Sequence, residues 1–248
     1  MISPSPVFVA IDTPDLERAQ GLARSLAGAV GGLKLGKEFF TAHGPAGVRE
    51  LRETGLPVFL DLKFHDIPNT VAGAVRAATA LDIDMLTVHA SGGPAMIAAA
   101  REAARDGAAA AGCRQPLVLA VTVLTSLDEA DLEAVGQTGP VADQVERLAV
   151  LAAGAGADGI VASPREVKRL RARMGADIRL VVPGIRPGWA VAGDQKRVTT
   201  PREAMDMGAD ILVIGRPITE AEDPAAAARK IAAEISAAHP PGGLRHAA

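Results

Sequence analysis

Eight short runs rich in Val, Ile and Leu alternate with longer alanine-rich stretches along 248 residues, which predicts an α/β protein of the TIM (β/α)8 barrel class. The runs are nearly continuous apolar segments, as parallel strands buried under crossover helices are. Eight βα units in about 250 residues match the size of such a barrel. A doubly wound open sheet usually places a glycine fingerprint after its first strand, and here that position reads IDTPDLE, with no GxGxxG.

In order, the predicted strands are VFVAID (7–12), GGLKLG (31–36), PVFLDLK (57–63), DMLTVHA (84–90), PLVLAVTVL (116–124), DGIVAS (158–163), IRLVVPG (178–184) and ADILVIG (209–215). Four of the intervening helices have proline-marked starts: Thr13-Pro14 before DLERAQGLARSLAG, Pro68 before NTVAGAVRAATA, Pro94 before AMIAAAREAARDG, and Ser163-Pro164 before REVKRLRARMG. Proline suits a first helical turn because its missing N–H has no partner there. No linker or low-complexity segment interrupts the pattern, so residues 1–248 read as one domain with a frayed tail from about residue 239.

The chain is 48% hydrophobic yet has only five Phe, one Trp and no Tyr, so its core is aliphatic and a site built on aromatic stacking is not expected. A net charge of −3 and a pI near 6.0 argue against a nucleic-acid binder. Cys113 stands alone and cannot form an internal disulfide, and the N-terminus lacks the pattern of a signal peptide. Apolar runs such as 116–121 fall far short of the ~20 residues that span a bilayer. The expectation is a cytoplasmic protein without membrane or nucleic-acid partners.

In a barrel the reactive groups stand at the carboxyl ends of the strands. Here those ends carry Asp12, Lys34, Asp61 with Lys63, His89, Thr125-Ser126, Ser163, Pro183 through Arg186, and Gly215-Arg216. Two residues apart on a strand, Asp61 and Lys63 point to one face while Leu62 points to the helices. Asp66 follows just past the strand. Carboxylates 4 Å apart repel by roughly 1 kcal/mol in water and ~4 kcal/mol at an effective dielectric near 20, so such a cluster needs interleaved lysines or a purpose. One reading is an ion-pair network that closes the barrel mouth. A metal site built on the aspartates and His65 is disfavoured by the lysines among them, and no metal is expected.

A second constellation is PGIRPGWAVAGDQKR followed by VIGRPI. The sixteen residues 183–198, with three glycines, make a long αβ connection that reads as a mobile lid. Gly215 and Arg216, after the eighth strand, read as a phosphate grip, a close backbone approach beside a bidentate guanidinium. His89 reads as a hydrogen-bonded core residue, His43 and His65 have no evident partners, and Cys113 reads as inert.

Taken together, VAID, LKLG, FLDLKFHDIPNTV, TVHA, VTVLTS, VASPRE, VPGIRP, GDQKR and VIGRPI resemble the orotidine 5′-phosphate decarboxylase family, from Val7 to about Ile218. DxKxxDI alone is shared with related phosphate-binding decarboxylases and aldolases; the extension to DLKFHDIPNT with PGIRP, GDQ and IGRPI in order is far more specific. The resemblance implies cofactor-free decarboxylation of orotidine 5′-phosphate to UMP, in de novo pyrimidine synthesis, by a homodimer with shared active sites. It makes Lys63 the proton donor, sets Asp61 beside the substrate carboxylate, and brings Asp66 in from the other subunit. Lys34 and Asp12 would complete the charge array and hold the ribose, with Thr70 touching the ribose across the interface. Thr125 and Ser126 would face the pyrimidine, Arg186 and Gln195 would belong to the closing loop, and Gly215 with Arg216 would hold the phosphate. Ile67 and Pro183 complete the implied substrate-binding set. Two other functions remain compatible with the charged mouth: a Mg²⁺-dependent keto-sugar-phosphate decarboxylase or hexulose-phosphate synthase, and a non-catalytic sugar-phosphate-binding barrel.

Overall fold

A computed structural model describes residues 5–190 and 199–236. The strands are β1 (Val7–Ile11), β2 (Gly32–Gly36), β3 (Val58–Phe64), β4 (Met85–His89), β5 (Leu117–Val121), β6 (Gly159–Val161), β7 (Arg179–Val182) and β8 (Ile211–Ile214). They pair in parallel and in sequence order, and β8 returns to β1 with Val7 opposite Leu212, which closes the barrel. Closure removes both sheet edges.

Between and after the strands lie α1 (Leu16–Leu26), α2 (Lys37–Arg52), α3 (Pro68–Thr79), α4 (Pro94–Ala111), α5 (Glu129–Ala134), α6 (Val141–Gly154), α7 (Val167–Met174), α8 (Pro201–Asp206), α9 (Arg216–Thr219) and α10 (Pro224–Ser236). Pro68 and Pro94 occupy first-turn positions as expected. Pro14 and Pro164 do not. The first helix is capped by Asp15, whose side chain accepts from the Arg18 N–H at 3.0 Å, and the seventh begins only at Val167. A competing side-chain cap one residue later therefore displaces the proline at the first of these.

Alternate strand residues split into two apolar layers. Phe8, Ala10, Phe59, Met85, Leu119, Val181, Ile211 and Val213 fill the barrel, while Val9, Leu33, Leu60, Leu86, Val118 and Ile160 pack outward against the helices. Phe8 and Phe59 meet edge to face, centroids 6.4 Å apart, and plug the interior below the mouth. Gly32 makes room for that plug, since a Cβ there would stand 2.4 Å from Phe8 Cε1 and 2.5 Å from the Pro57 carbonyl oxygen.

The opposite rim is closed by a repeated device. Asp84, Asp158 and Asp210, each just before an even-numbered strand, accept the N–H of Val58, Val118 and Leu180 at 2.8, 2.8 and 2.7 Å. Arg52, Arg101 and Arg171 in turn pair with these carboxylates. Burial pushes the Asp158 carboxyl above its ordinary range even so. These contacts sit at the amino ends of the strands, away from the mouth, where a barrel carries stability rather than chemistry.

Candidate active site

β1, β2 and β3 deliver an alternating line of charge to the mouth. Lys34 Nζ, on a residue only 9% exposed, donates to Asp12 Oδ1 at 3.1 Å and stands 3.9 Å from Asp61 Oδ2. Lys63 Nζ donates to both Asp61 oxygens at 2.8 Å. Asp61 thus lies between two ammonium groups, and neither carboxylate of the line faces the other without a lysine between them.

Lys63 reaches this position differently from the regular strand expected. Its φ is +54°, in the left-handed region, and β3 bulges there: Leu60 lies opposite Leu86 and Phe64 opposite Val88, so Asp61, Leu62 and Lys63 together face Thr87. Leu62 still packs toward the helix layer as predicted.

A cavity of about 350 Å³ opens over the barrel, lined by Asp12, Lys34, Asp61 and Lys63 and by Pro183, Arg186, Gly215 and Arg216, with Phe59 among its apolar lining. In a closed ring of eight strands β7 stands across from β3, so Arg186 faces Asp61 and Lys63 over the opening, while Gly215 and Arg216, which follow β8, stand beside β1 and its Asp12. Four cations against two carboxylates leave the cavity positive within an acidic protein, as a dianionic ligand requires.

Thr125 lines the cavity, although β5 ends at Val121 and both Thr125 and Ser126 stand on the following loop; Ser126 is exposed and outside the lining. Asp66, Ile67 and Thr70 are exposed on the rim before and within the first turn of α3, Ile67 at 66%, and none lines this chain's own cavity. Asp66 Oδ1 accepts the Ile67 N–H at 2.7 Å. Gln195 and most of the expected lid, 191–198, lie outside the described residues, as does the tail. The ends of that loop are joined, since the Arg186 N–H donates to the Thr199 carbonyl at 3.1 Å.

Other expectations change. His43 does have a partner, its Nε2 lying 2.7 Å from the Pro14 carbonyl oxygen. His65 and His89 face each other, ring centroids 5.5 Å apart, at the rim of β3 and β4. Among the described residues no hydrogen bond reaches the His89 ring; burial first, then His65, Lys37 and Lys63, hold it neutral with a pKa lowered to about 4, against a smaller pull upward from Asp61. Cys113 Sγ lies 3.6 Å from the Thr79 carbonyl. Sequence reasoning missed Thr87, whose hydroxyl donates to Asp61 Oδ1 at 2.9 Å. A threonine midway along an otherwise apolar strand is the signal that could have found it.

Among the described residues no three His, Cys, Asp or Glu side chains converge as a metal-binding group, and no helix is long and apolar enough to cross a membrane.

A closed parallel barrel that gathers two lysines, two aspartates and two arginines around one cavity at its mouth has the build of a barrel enzyme with a positively charged site. Residues 5–231 match the model of the orotidine 5′-phosphate decarboxylase / HUMPS family, and the chain belongs to that family. It is 59% identical to an orotidine 5′-phosphate decarboxylase of Paramagnetospirillum magneticum over 93% of this chain and 98% of that one. It is 60% identical to the enzyme of that name from Rhodospirillum rubrum, over 93% and 94%. The crystal structure of orotidine 5′-phosphate decarboxylase from Lactobacillus acidophilus superimposes with a TM-score of 0.82 at 39% identity, over 93% of this chain and 99% of that one.

Proposed function

We propose that this protein converts orotidine 5′-phosphate to UMP and CO₂ in de novo pyrimidine biosynthesis, with no cofactor and with Lys63 as the proton donor. The observation that carries the reading is the Asp12–Lys34–Asp61–Lys63 line sharing one cavity with Arg186 and Arg216.

The bond from C6 to the carboxyl carbon breaks, its electron pair stays on C6, and CO₂ departs. No carbonyl adjoins C6 to take up that charge, so stabilisation falls to a fixed cation at the carbon. The Lys63 ammonium, already held by Asp61, supplies it and then transfers a proton to C6; the amine regains its proton from solvent. Asp61 stands where the substrate carboxylate is crowded by like charge, which departure of neutral CO₂ relieves. Asp12 and Lys34 hold the ribose, and Pro183 and Thr125 face the base. Gly215 and Arg216 grip the phosphate, Arg186 and Gln195 serve the closing loop, and the binding energy of the phosphate is used at the distant ring.

Asp66, Ile67 and Thr70, exposed at one rim, serve the pocket of a second copy in a homodimer. The enzyme works in the cytoplasm, where its one cysteine stays reduced. Magnesium chemistry on a keto-sugar phosphate has no support from the lysine-interleaved carboxylates.

Orotidine 5′-phosphate labelled with ¹³C in its carboxyl group tests the reading. One labelled CO₂ or bicarbonate should appear per UMP formed; intact substrate after prolonged incubation with stoichiometric protein would contradict it.

A further inference from the structure

The bulge in β3 raises a hydrogen-bonding problem that the fold solves with one side chain. Alternate residues of β3 address opposite neighbours, Pro57 accepting from β2 and Val58 from the Asp84 N–H before β4, so a regular strand would turn the Lys63 N–H toward β2. Instead three residues of β3 face one residue of β4, and the Lys63 N–H is turned toward β4 outside the regular ladder. An amide left without a partner inside the barrel wall is costly, and so is the left-handed backbone of Lys63, which a residue with a Cβ rarely adopts. Thr87, fully buried, answers both. The Lys63 N–H donates to Thr87 Oγ1 at 2.9 Å, and the same hydroxyl donates its own hydrogen to Asp61 Oδ1 at 2.9 Å.

The directions are mutually enforced. An ionised Asp61 can only accept and a backbone N–H can only donate, so the hydroxyl hydrogen points to Asp61 and a lone pair to Lys63. Asp61 is then held from three strands: by Thr87 on β4, by Lys63 on its own strand, and by Lys34 on β2. Thr87 does not line the cavity, so it touches no substrate.

We infer that Thr87 is a positioning residue for the reaction: its hydroxyl locks the left-handed Lys63 backbone and the Asp61 carboxylate into one geometry. The inference rests on the decarboxylase reading only for the activity measured. Misplacement of a reacting group by about 1 Å costs on the order of 10²-fold in rate, which sets the scale of the effect.

The test compares Thr87→Val, which keeps the shape and removes the hydroxyl, with Thr87→Ser, which keeps the hydroxyl. Thr87→Val should lower kcat by about 10- to 100-fold while KM stays within roughly threefold, and Thr87→Ser should recover most of that loss. Hydrogen exchange at the Lys63 amide should quicken by at least about tenfold in Thr87→Val and stay near wild type in Thr87→Ser. If Thr87→Val does not fold, Thr87→Ala takes its place with the same expectations. Wild-type kcat and wild-type Lys63 exchange in the hydroxyl-free variant overturn the inference, as does a kcat loss that serine does not restore. The exchange measurement needs no turnover, so an inactive wild type would sink the decarboxylase reading and still leave Thr87 open to test.

Discussion

Lys63 spans both oxygens of Asp61 at 2.8 Å from a backbone turned left-handed, while Lys34 approaches the same carboxylate from the neighbouring strand at 3.9 Å. The carboxylate is thereby a template for ammonium groups. A lysine side chain loses considerable rotamer freedom when ordered, and here the loss falls on folding rather than on the reaction.

Arg216 lines the cavity at the end of β8, where the proposed reading sets the phosphate of the substrate. Arg216→Ala should weaken binding of orotidine 5′-phosphate and lower kcat/KM by roughly 1.5–3 kcal/mol, or about 10- to 100-fold, with orotidine itself nearly unaffected. Steady-state kinetics on both substrates decide it. Equal losses on the two would place the damage in the fold instead of the phosphate grip.

Asp66 lies outside its own chain's cavity, and the proposed homodimer would bring it into the pocket of a second copy. Lys63→Ala and Asp66→Asn proteins should each be nearly inactive. Mixed after subunit exchange, a heterodimer has one pocket with both lesions and one with neither. Random 1:1 reassortment makes half the dimers mixed, so about a quarter of wild-type activity should return. Exchange confirmed by pull-down of a tagged subunit, with no activity regained, would show that both residues act within one chain.

His89 makes stability depend on pH in a defined direction. Its folded pKa falls from the ordinary 6.5 to about 4, so the folded protein binds fewer protons than the unfolded chain between those values. The stabilisation from a neutral ring is complete above about pH 6.5 and is lost as pH drops toward 4. His65, Lys37 and Lys63 oppose the charged ring and Asp61 favours it. Between pH 7 and pH 5 the wild-type melting temperature should therefore fall further than that of His89→Gln, read by thermal circular dichroism. Parallel curves would remove His89 from the account.

How much of this was legible in the sequence follows from the range of each interaction. The eight strands and their parallel order show because each βα unit advertises itself locally, in apolar runs separated by alanine-rich helices. Asp61 and Lys63 do meet, but through a bulge in β3 and not through the regular two-residue repeat of a strand. The left-handed turn that brings them together does not show, because it depends on where β4 sets Thr87 against the bulge. Likewise His43 finds the Pro14 carbonyl, and His65 the ring of His89, only once distant strands and helices are assembled. Helix starts at Pro14 and Pro164 fail for a local reason, since proline permits a first turn without requiring one. The rim aspartates 84, 158 and 210 recur before alternate strands, yet each acts on the strand before it, a pairing that spacing along the chain does not express.

Lys63, set by Asp61, is proposed to carry out decarboxylation without a metal. That role is tested most directly by following the loss of orotidylate absorbance with purified wild-type and Lys63→Ala protein, each with and without EDTA. Wild type should turn over equally in both conditions. Lys63→Ala should lose at least about 10²–10³-fold in kcat while UMP titration shows its affinity changed by less than about tenfold, because the ammonium acts on charge that appears only in the transition state. Turnover that stops in EDTA, or a Lys63→Ala protein with near-normal kcat, would contradict the claim.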